Sequence, residues 1–278
     1  MEKKPLLHID KCKIRKHWGK TDSEVEEDIE TLKKWIKTMD FPEMPTDHMI
    51  EFFLTNCKYN IDKTKINLET FYSIRKMIPE IYECSNPKLP EIMEAWDMGC
   101  YLPLPTAAEG LYRISLVNIS PNTSNFNVQR YFANFMNVYE IRICEDLVLS
   151  EIVVVDYNQL KWSHIFHFSP FLLRKMIMIM ENVAKSRVKV IHIVRAPSYV
   201  SVIVNITKKF MKKKMADRIQ THKDFESLYD SVPQELLPSD YGGKEPPVSE
   251  LIEMWKNKVM EYQDRFDMWD KVMQEDQQ

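Results

Sequence analysis

The hydrophobic period changes once along this chain, and that change limits the fold more than any other feature. Up to Ile78 apolar residues recur every three or four positions. Val25, Ile29, Leu32 and Ile36 follow a Thr21/Glu24 capping box, and Phe41-Pro42 breaks the run. A second helix is predicted from Thr46, just after Pro45, with Met49, Ile50, Phe53 and Leu54 inward. A third is predicted over about Asp62 to Ile78, where Pro79 ends it. From Gly110 the period shortens to two. Leu111 to Val117 alternates, and Glu151 to Asp156 and Val188 to Val194 are short β-branched runs, which predicts strands. Helical stretches at Val128 to Ile143 and Pro170 to Ala184 separate them, and such alternation predicts a largely parallel or mixed sheet. The expected fold class is therefore α/β: an all-helical domain at 1–87, an α/β domain at 88–245, and one C-terminal amphipathic helix at 246–278 with Leu251, Trp255, Phe266 and Met273 on its stripe.

Glycine scarcity removes several functions. Only Gly19, Gly99, Gly110, Gly242 and Gly243 occur, whereas dinucleotide fingerprints and P-loops need closely spaced glycines so that backbone N–H groups can approach phosphate. No Gly-x-Ser-x-Gly elbow is present. The five cysteines are scattered, with no Cys-x-x-Cys pair, so they read as reduced thiols. His164-x-x-His167 falls in a predicted loop without a third ligand, and Asp156 with His192 is the nearest approach to a catalytic pair, for which a structural role is expected. The chain is read as a non-enzyme without metal or cofactor. Its net charge of -3 offers nucleic acid no general attraction. No apolar run approaches the roughly 18 residues that span a bilayer, and the first twenty residues hold no apolar stretch longer than Leu6-Leu7. A cytoplasmic location is expected, with peripheral, reversible membrane association.

One segment combines grease and charge. On a helix, Tyr199, Ile203, Ile206 and Phe210 share a face, with Lys208 and Lys212 opposite. Between Lys208 and Arg218 six basic residues meet one acid, Asp217, a local charge of +5 in a chain whose total is -3. On pattern alone this is either the solvated back of an ordinary core helix or a surface for anionic lipid. The Met176 to Met180 run likewise suits a pliable ligand wall or a filled core.

Leu236-Leu237-Pro238-Ser239-Asp240-Tyr241-Gly242-Gly243, after Phe225-Glu226-Ser227-Leu228 and Val232-Pro233, resembles the L-P-x-E/D-Y-G-G ending of CRAL-TRIO domains. Upstream, Val153 to Asp156, Ser163-His164, Ser169-Pro170, Ile191-His192-Ile193, Ala196-Pro197 and the lysine-rich segment to Arg218-Ile219 follow the same order. Phe53-Leu54, Lys58-Tyr59 and Thr64-Lys65 are similar to the helical domain that precedes them. The resemblance covers most of the chain and is to the tocopherol and retinaldehyde carrier group of that family.

It implies a monomeric carrier that binds and transfers a hydrophobic small molecule, such as a retinoid, tocopherol, carotenoid or other isoprenoid, with phosphoinositide-assisted docking. Burying roughly 400 Å² of apolar ligand surface is worth on the order of 10 kcal/mol, enough to offset association costs. The alternative is a phosphoinositide-binding adaptor with no transported ligand. The resemblance places Ala133, Asn137, Val155, Trp162, Phe168, Ile179, Val188 and Ile191 on a cavity wall, with Asn137 the polar candidate. It places Val200, Ile203, Ile206 and Phe210 on a mobile gate helix, and Arg187, Lys189, Lys214 and Arg218 around a phosphoinositide headgroup. The chain departs from the pattern where Thr55-Asn56-Cys57 replaces a basic loop, where Lys209 replaces a proline, and where Ser150-Glu151 replaces a glycine. Glu151 either projects into the cavity or starts its strand in solvent, and the second is favoured because a buried unpaired carboxylate is expensive.

Overall fold

A computed structural model of the chain describes residues 5–121, 124–182 and 187–275. The predicted Ala184 end of the helix that starts at Pro170 lies outside them. Helices α1 (Lys11–His17), α2 (Asp22–Ile36), α3 (Asp47–Asn56), α4 (Ile61–Met77), α5 (Pro79–Tyr82) and α6 (Pro90–Glu94) come first. Their starts are written in the sequence: Thr21 and Glu24 close a reciprocal capping box, and Thr46 and Asn60 accept from the third backbone N–H of α3 and α4.

Strand β1 (Gly99–Pro103) is antiparallel to β2 (Tyr112–Ile119), and β3 (Ser150–Asp156), β4 (Val188–Val194) and β5 (Ile219–His222) follow in parallel, in the spatial order of the chain. Between them run α7 (Val128–Glu145), α8 (Trp162–Ile165), α9 (Pro170–Asn182), α10 (Val200–Phe210) and α11 (Lys213–Ala216). Then come α12 (Phe225–Tyr229), α13 (Val248–Glu261) and α14 (Gln263–Glu275). The expected single tail helix is thus two, because Tyr262 leaves helical geometry at φ -100°, ψ 17°.

One sheet face, with Leu102, Leu116 and Val154, shares a core with Leu251, Trp255 and Val259 of α13, and Trp255 donates from Nε1 to the Pro103 carbonyl at 3.0 Å. The N-terminal helices share a second core with α7, α9 and Trp269 of α14. A buried ion-pair set ties these parts together: Glu140 on α7 accepts from Arg75 of α4, and from Arg265 (2.7 Å) and Trp269 (3.0 Å) of α14. No helix of the described residues is long and apolar enough to cross a membrane.

Candidate functional site

Strand pairing sets Tyr101, Val117, Val155 and Ile193 in one row across four strands, and Ser115, Val153, Ile191 and Ile219 in the next. Residues two apart on a strand share a face. This face carries α7, where Phe135 stacks on Tyr101 with ring centroids 3.9 Å apart. The sheet, α9 and α10 leave a hollow between their facing side chains. They enclose a cavity of two adjoining lobes, about 220 Å³ and 210 Å³, with Phe135, Val155, Tyr157, Ile203 and Thr207 bordering both. The walls are mostly aliphatic, aromatic and methionine side chains, and among the described residues no lysine or arginine lines either lobe. Surfaces of this kind hold an apolar ligand without specific chemistry.

The outer wall is α10, and its attachment is confined largely to its ends. Only Val200 on this helix is buried, and Val202 stands 50% exposed. At the N-terminal end Tyr199 donates to the Leu160 carbonyl at 2.5 Å and packs on Trp162 at 4.6 Å between ring centroids. Just before it Arg195 takes a left-handed φ of 51° and pairs with Asp156. At the C-terminal end Met211 is extended, and Lys212 meets Glu181 through its backbone N–H at 2.9 Å and its Nζ at 3.2 Å. A helix held at two ends over a hollow can swing on those ends.

The inward face of α10 is Ile203, Val204 and Thr207, continued by Met211. Ile203 matches the sequence-based expectation, whereas Ile206 and Phe210 are half-buried and border neither lobe, and Val200 is buried outside both. The tether at Tyr199 turns the stripe by about one residue. Val155, Val188 and Ile191 border the first lobe and Phe168 the second. Ala133, Asn137 and Ile179 are buried but border neither. Ile179 belongs to the core shared with the N-terminal helices, and Asn137 spends its amide on the Ser85 carbonyl at 2.7 Å. Trp162 is 52% exposed, outside the wall.

Glu151 takes the less favoured of its two alternatives, the cavity wall. It is 2% exposed and lines the first lobe. Its carboxylate accepts from Arg142 and Tyr101, both at 2.7 Å, and from Ser115. Arg142 also reaches Asp146 at 2.9 Å, which in turn pairs with Arg113 at 2.7 Å. Burial alone would lower the Arg142 pKa, but Glu151, Tyr101 and Asp146 hold it well above its ordinary value. Burial likewise drives the Tyr101 hydroxyl well up, so it stays a neutral donor. The cost of burying the carboxylate is met by a paired cation, whose position nine residues back along the chain gives no spacing signal.

Of the basic set, Arg187 and Lys189 flank Val188 at the start of β4, and Arg218 precedes β5 and donates to the Val188 carbonyl. Burial, then the nearby Arg218 charge, pushes the Arg187 pKa down. The Arg187 guanidinium lies 5.0 Å from the Trp18 ring centre, and Lys58 lies over the same ring at 5.8 Å. Lys189 sits 3.6 Å over Tyr112. Lys214 is exposed on α11, one turn before Arg218. Sequence reasoning missed Lys58 and Trp18, which the fold brings from just beyond α3 and α1 to Arg187 at the start of β4.

A family model described as the CRAL/TRIO domain matches residues 111–243, and one described as Pinta-like, UBA domain matches residues 21–92. Among curated proteins, the chain is similar to an "Alpha-tocopherol transfer protein-like" of Homo sapiens, 28% identical over 226 residues that cover 78% of this chain and 64% of that protein. Clavesin-2 of Rattus norvegicus is 25% identical over 113 residues, 40% of this chain and 34% of that protein. The chain therefore spans less than two thirds of the length of these relatives. Among solved structures, "Crystal structure of Sfh5" superposes with a TM-score of 0.53 at 12% identity, covering 87% of this chain and 99% of that one, which concerns the fold alone.

Proposed function

We propose, from the premise that this chain carries a CRAL-TRIO domain over residues 111–243, that it binds a hydrophobic small molecule in the two-lobed cavity and transfers it between membranes. The observation that carries this reading is the hollow behind α10, walled by apolar side chains and closed by a helix fastened chiefly at its ends. A filled interior would have packed these residues against one another, since protein cores leave few voids larger than a water molecule. The names of the relatives, one a tocopherol-transfer-like protein, support the same reading.

Docking would use the surface around the gate. Phe166 is 84% exposed, Phe171 66%, Trp162 52% and Val202 50%, while Lys208 and Lys209 lie in the last turn of α10 and Lys212 to Lys214 follow it into α11. Aromatic side chains partition into the interfacial layer of a bilayer, while each nearby cation gains roughly 1 kcal/mol from anionic headgroups. Arg187, Lys189, Lys214 and Arg218, joined by Lys58, would hold a phosphoinositide headgroup, and the mutual repulsion of Arg187 and Arg218 favours an anion there.

The test is organic extraction of purified protein followed by mass spectrometry, together with lipid transfer between donor and acceptor vesicles. Bound lipid and transfer support the carrier. Vesicle recruitment without any bound or loadable lipid would leave the adaptor reading in its place.

A further inference from the structure

The wall of the first lobe is apolar except at a few points, and the inner one is charged. Glu151 and Tyr101 both border the cavity and are joined by a 2.7 Å hydrogen bond, with Arg142 and Ser115 behind them. A carboxylate at the wall of a greasy cavity is unfavourable for stability even when paired, because hydrophobic replacement of buried ion pairs is often neutral or stabilising. Its position on the cavity wall points to a role toward a molecule that enters the cavity.

We propose that the Glu151–Tyr101 pair receives the polar end of the cargo, and that this end is a neutral hydroxyl, not a carboxylate or phosphate. The inference rests on the carrier reading above and narrows its ligand class. Charge decides it. Arg113 and Arg142 are matched by Asp146 and Glu151 within one connected set, and the second acid on the wall, Glu181, is matched by Lys212. Among the described residues no lysine or arginine borders either lobe, so an anionic headgroup arriving here meets Glu151 without a described cation on the wall. A hydroxyl can donate to the carboxylate while the Tyr101 proton stays on Glu151, and it leaves the charge balance as it stands. An ether or an alkane end offers no donor and would leave the polar pair facing a group that cannot answer it, the kind of mismatch that sites built for a hydroxyl reject strongly.

The experiment loads the full chain with three probes of equal chain length, 1-hexadecanol, palmitic acid and hexadecyl methyl ether, presented singly and in competition from neutral phosphatidylcholine vesicles at pH 7.4. Bound probe is quantified by mass spectrometry. The expected result is retention of the alcohol about tenfold above both others. In Glu151→Gln and in Tyr101→Phe, which keeps the ring that stacks on Phe135, the preference should fall to about twofold or less. Equal loading of the three probes by the wild-type chain, or a preference unchanged in a folded variant, overturns the assignment and leaves the carrier reading intact. Loading of none of them overturns both. The wild-type comparison requires no variant to fold.

Discussion

The Tyr241 hydroxyl donates to the Asp156 carboxylate at 2.7 Å, and the same carboxylate pairs with Arg195, the left-handed residue that leads into α10. The terminal Leu-Pro-Ser-Asp-Tyr-Gly-Gly motif thus reaches the root of the gate. Its glycines make the reach possible. Gly242 has a φ of 71°, and a Cβ on Gly243 would lie 1.9 Å from the Leu237 carbonyl oxygen, so the reversal cannot carry a side chain there. Arg195 also lies over Phe225 at 4.7 Å, which clamps it from the far side.

Tyr241→Phe should cost about 1 kcal/mol of stability, the usual net worth of one hydrogen bond, since Asp156 retains Arg195. The larger effect should be on ligand exchange, with faster release of a fluorescent lipid as the hinge loosens. Stopped-flow release together with urea unfolding checks both. A release rate equal to wild type would disconnect the motif from the gate.

Lys58→Ala and Lys214→Ala should each weaken binding to phosphoinositide vesicles about fivefold at low salt, following roughly 1 kcal/mol per cation near an anionic surface. Raising the salt should shrink the difference, because exposed charges are screened. Lipid loading should stay unchanged. Trp18 fluorescence offers a second reading, since Lys58 and Arg187 both lie over that ring and headgroup binding would move them. Vesicle binding that ignores both substitutions would leave these cations as surface charge.

Phe166→Ala should lower vesicle association several-fold without moving the unfolding midpoint beyond a degree or two, because an 84% exposed ring contributes little to the fold. Flotation with vesicles and thermal unfolding measure the two quantities. A destabilised variant with normal flotation would reverse the reading of this ring.

Legibility in the sequence followed the strength of local signals. β3 and β4 are β-branched runs and were readable, as were α2 to α4 with their caps and prolines. β1 was not: Gly99 to Pro103 is buried on both faces, so it shows no alternation, and Pro103 argues against a strand. β5 is four residues, Ile-Gln-Thr-His, too short and polar to register. The tail break at Tyr262 carries no glycine or proline, so the apolar period runs straight through it. The gate was readable as an amphipathic helix, but its stripe is broad, and its orientation is set by the Tyr199–Leu160 contact, which no periodicity encodes. For Glu151 the sequence favours solvent over the cavity because its partners, Arg142 and Tyr101, converge on it only once the sheet and α7 are assembled.

Acid should destabilise the protein through His192. This side chain is buried on β4, and its Nδ1 lies 2.8 Å from Nε2 of His222 on β5. Burial first, and the neighbouring His222 second, push its pKa down to about 4 from the ordinary 6.5. In the unfolded chain it titrates near that ordinary value, so between pH 6.5 and 4 the unfolded state binds the proton that the folded state refuses. Stability therefore rises with pH across this window and is lost as pH falls through it, by at most about 3 kcal/mol from this group. His48, also lowered by burial and by Lys11, adds a slope of the same sign, so wild type alone cannot assign it. Carboxylates such as Asp267, held down to about 2 by Lys88, Asn86 and Gln263, act lower, below their ordinary range near 4. The difference between wild type and His192→Asn in urea unfolding at pH 7, 6 and 5 isolates the His192 contribution. The variant should show the flatter dependence, and an unchanged slope would assign the acid sensitivity to His48 or to the carboxylates.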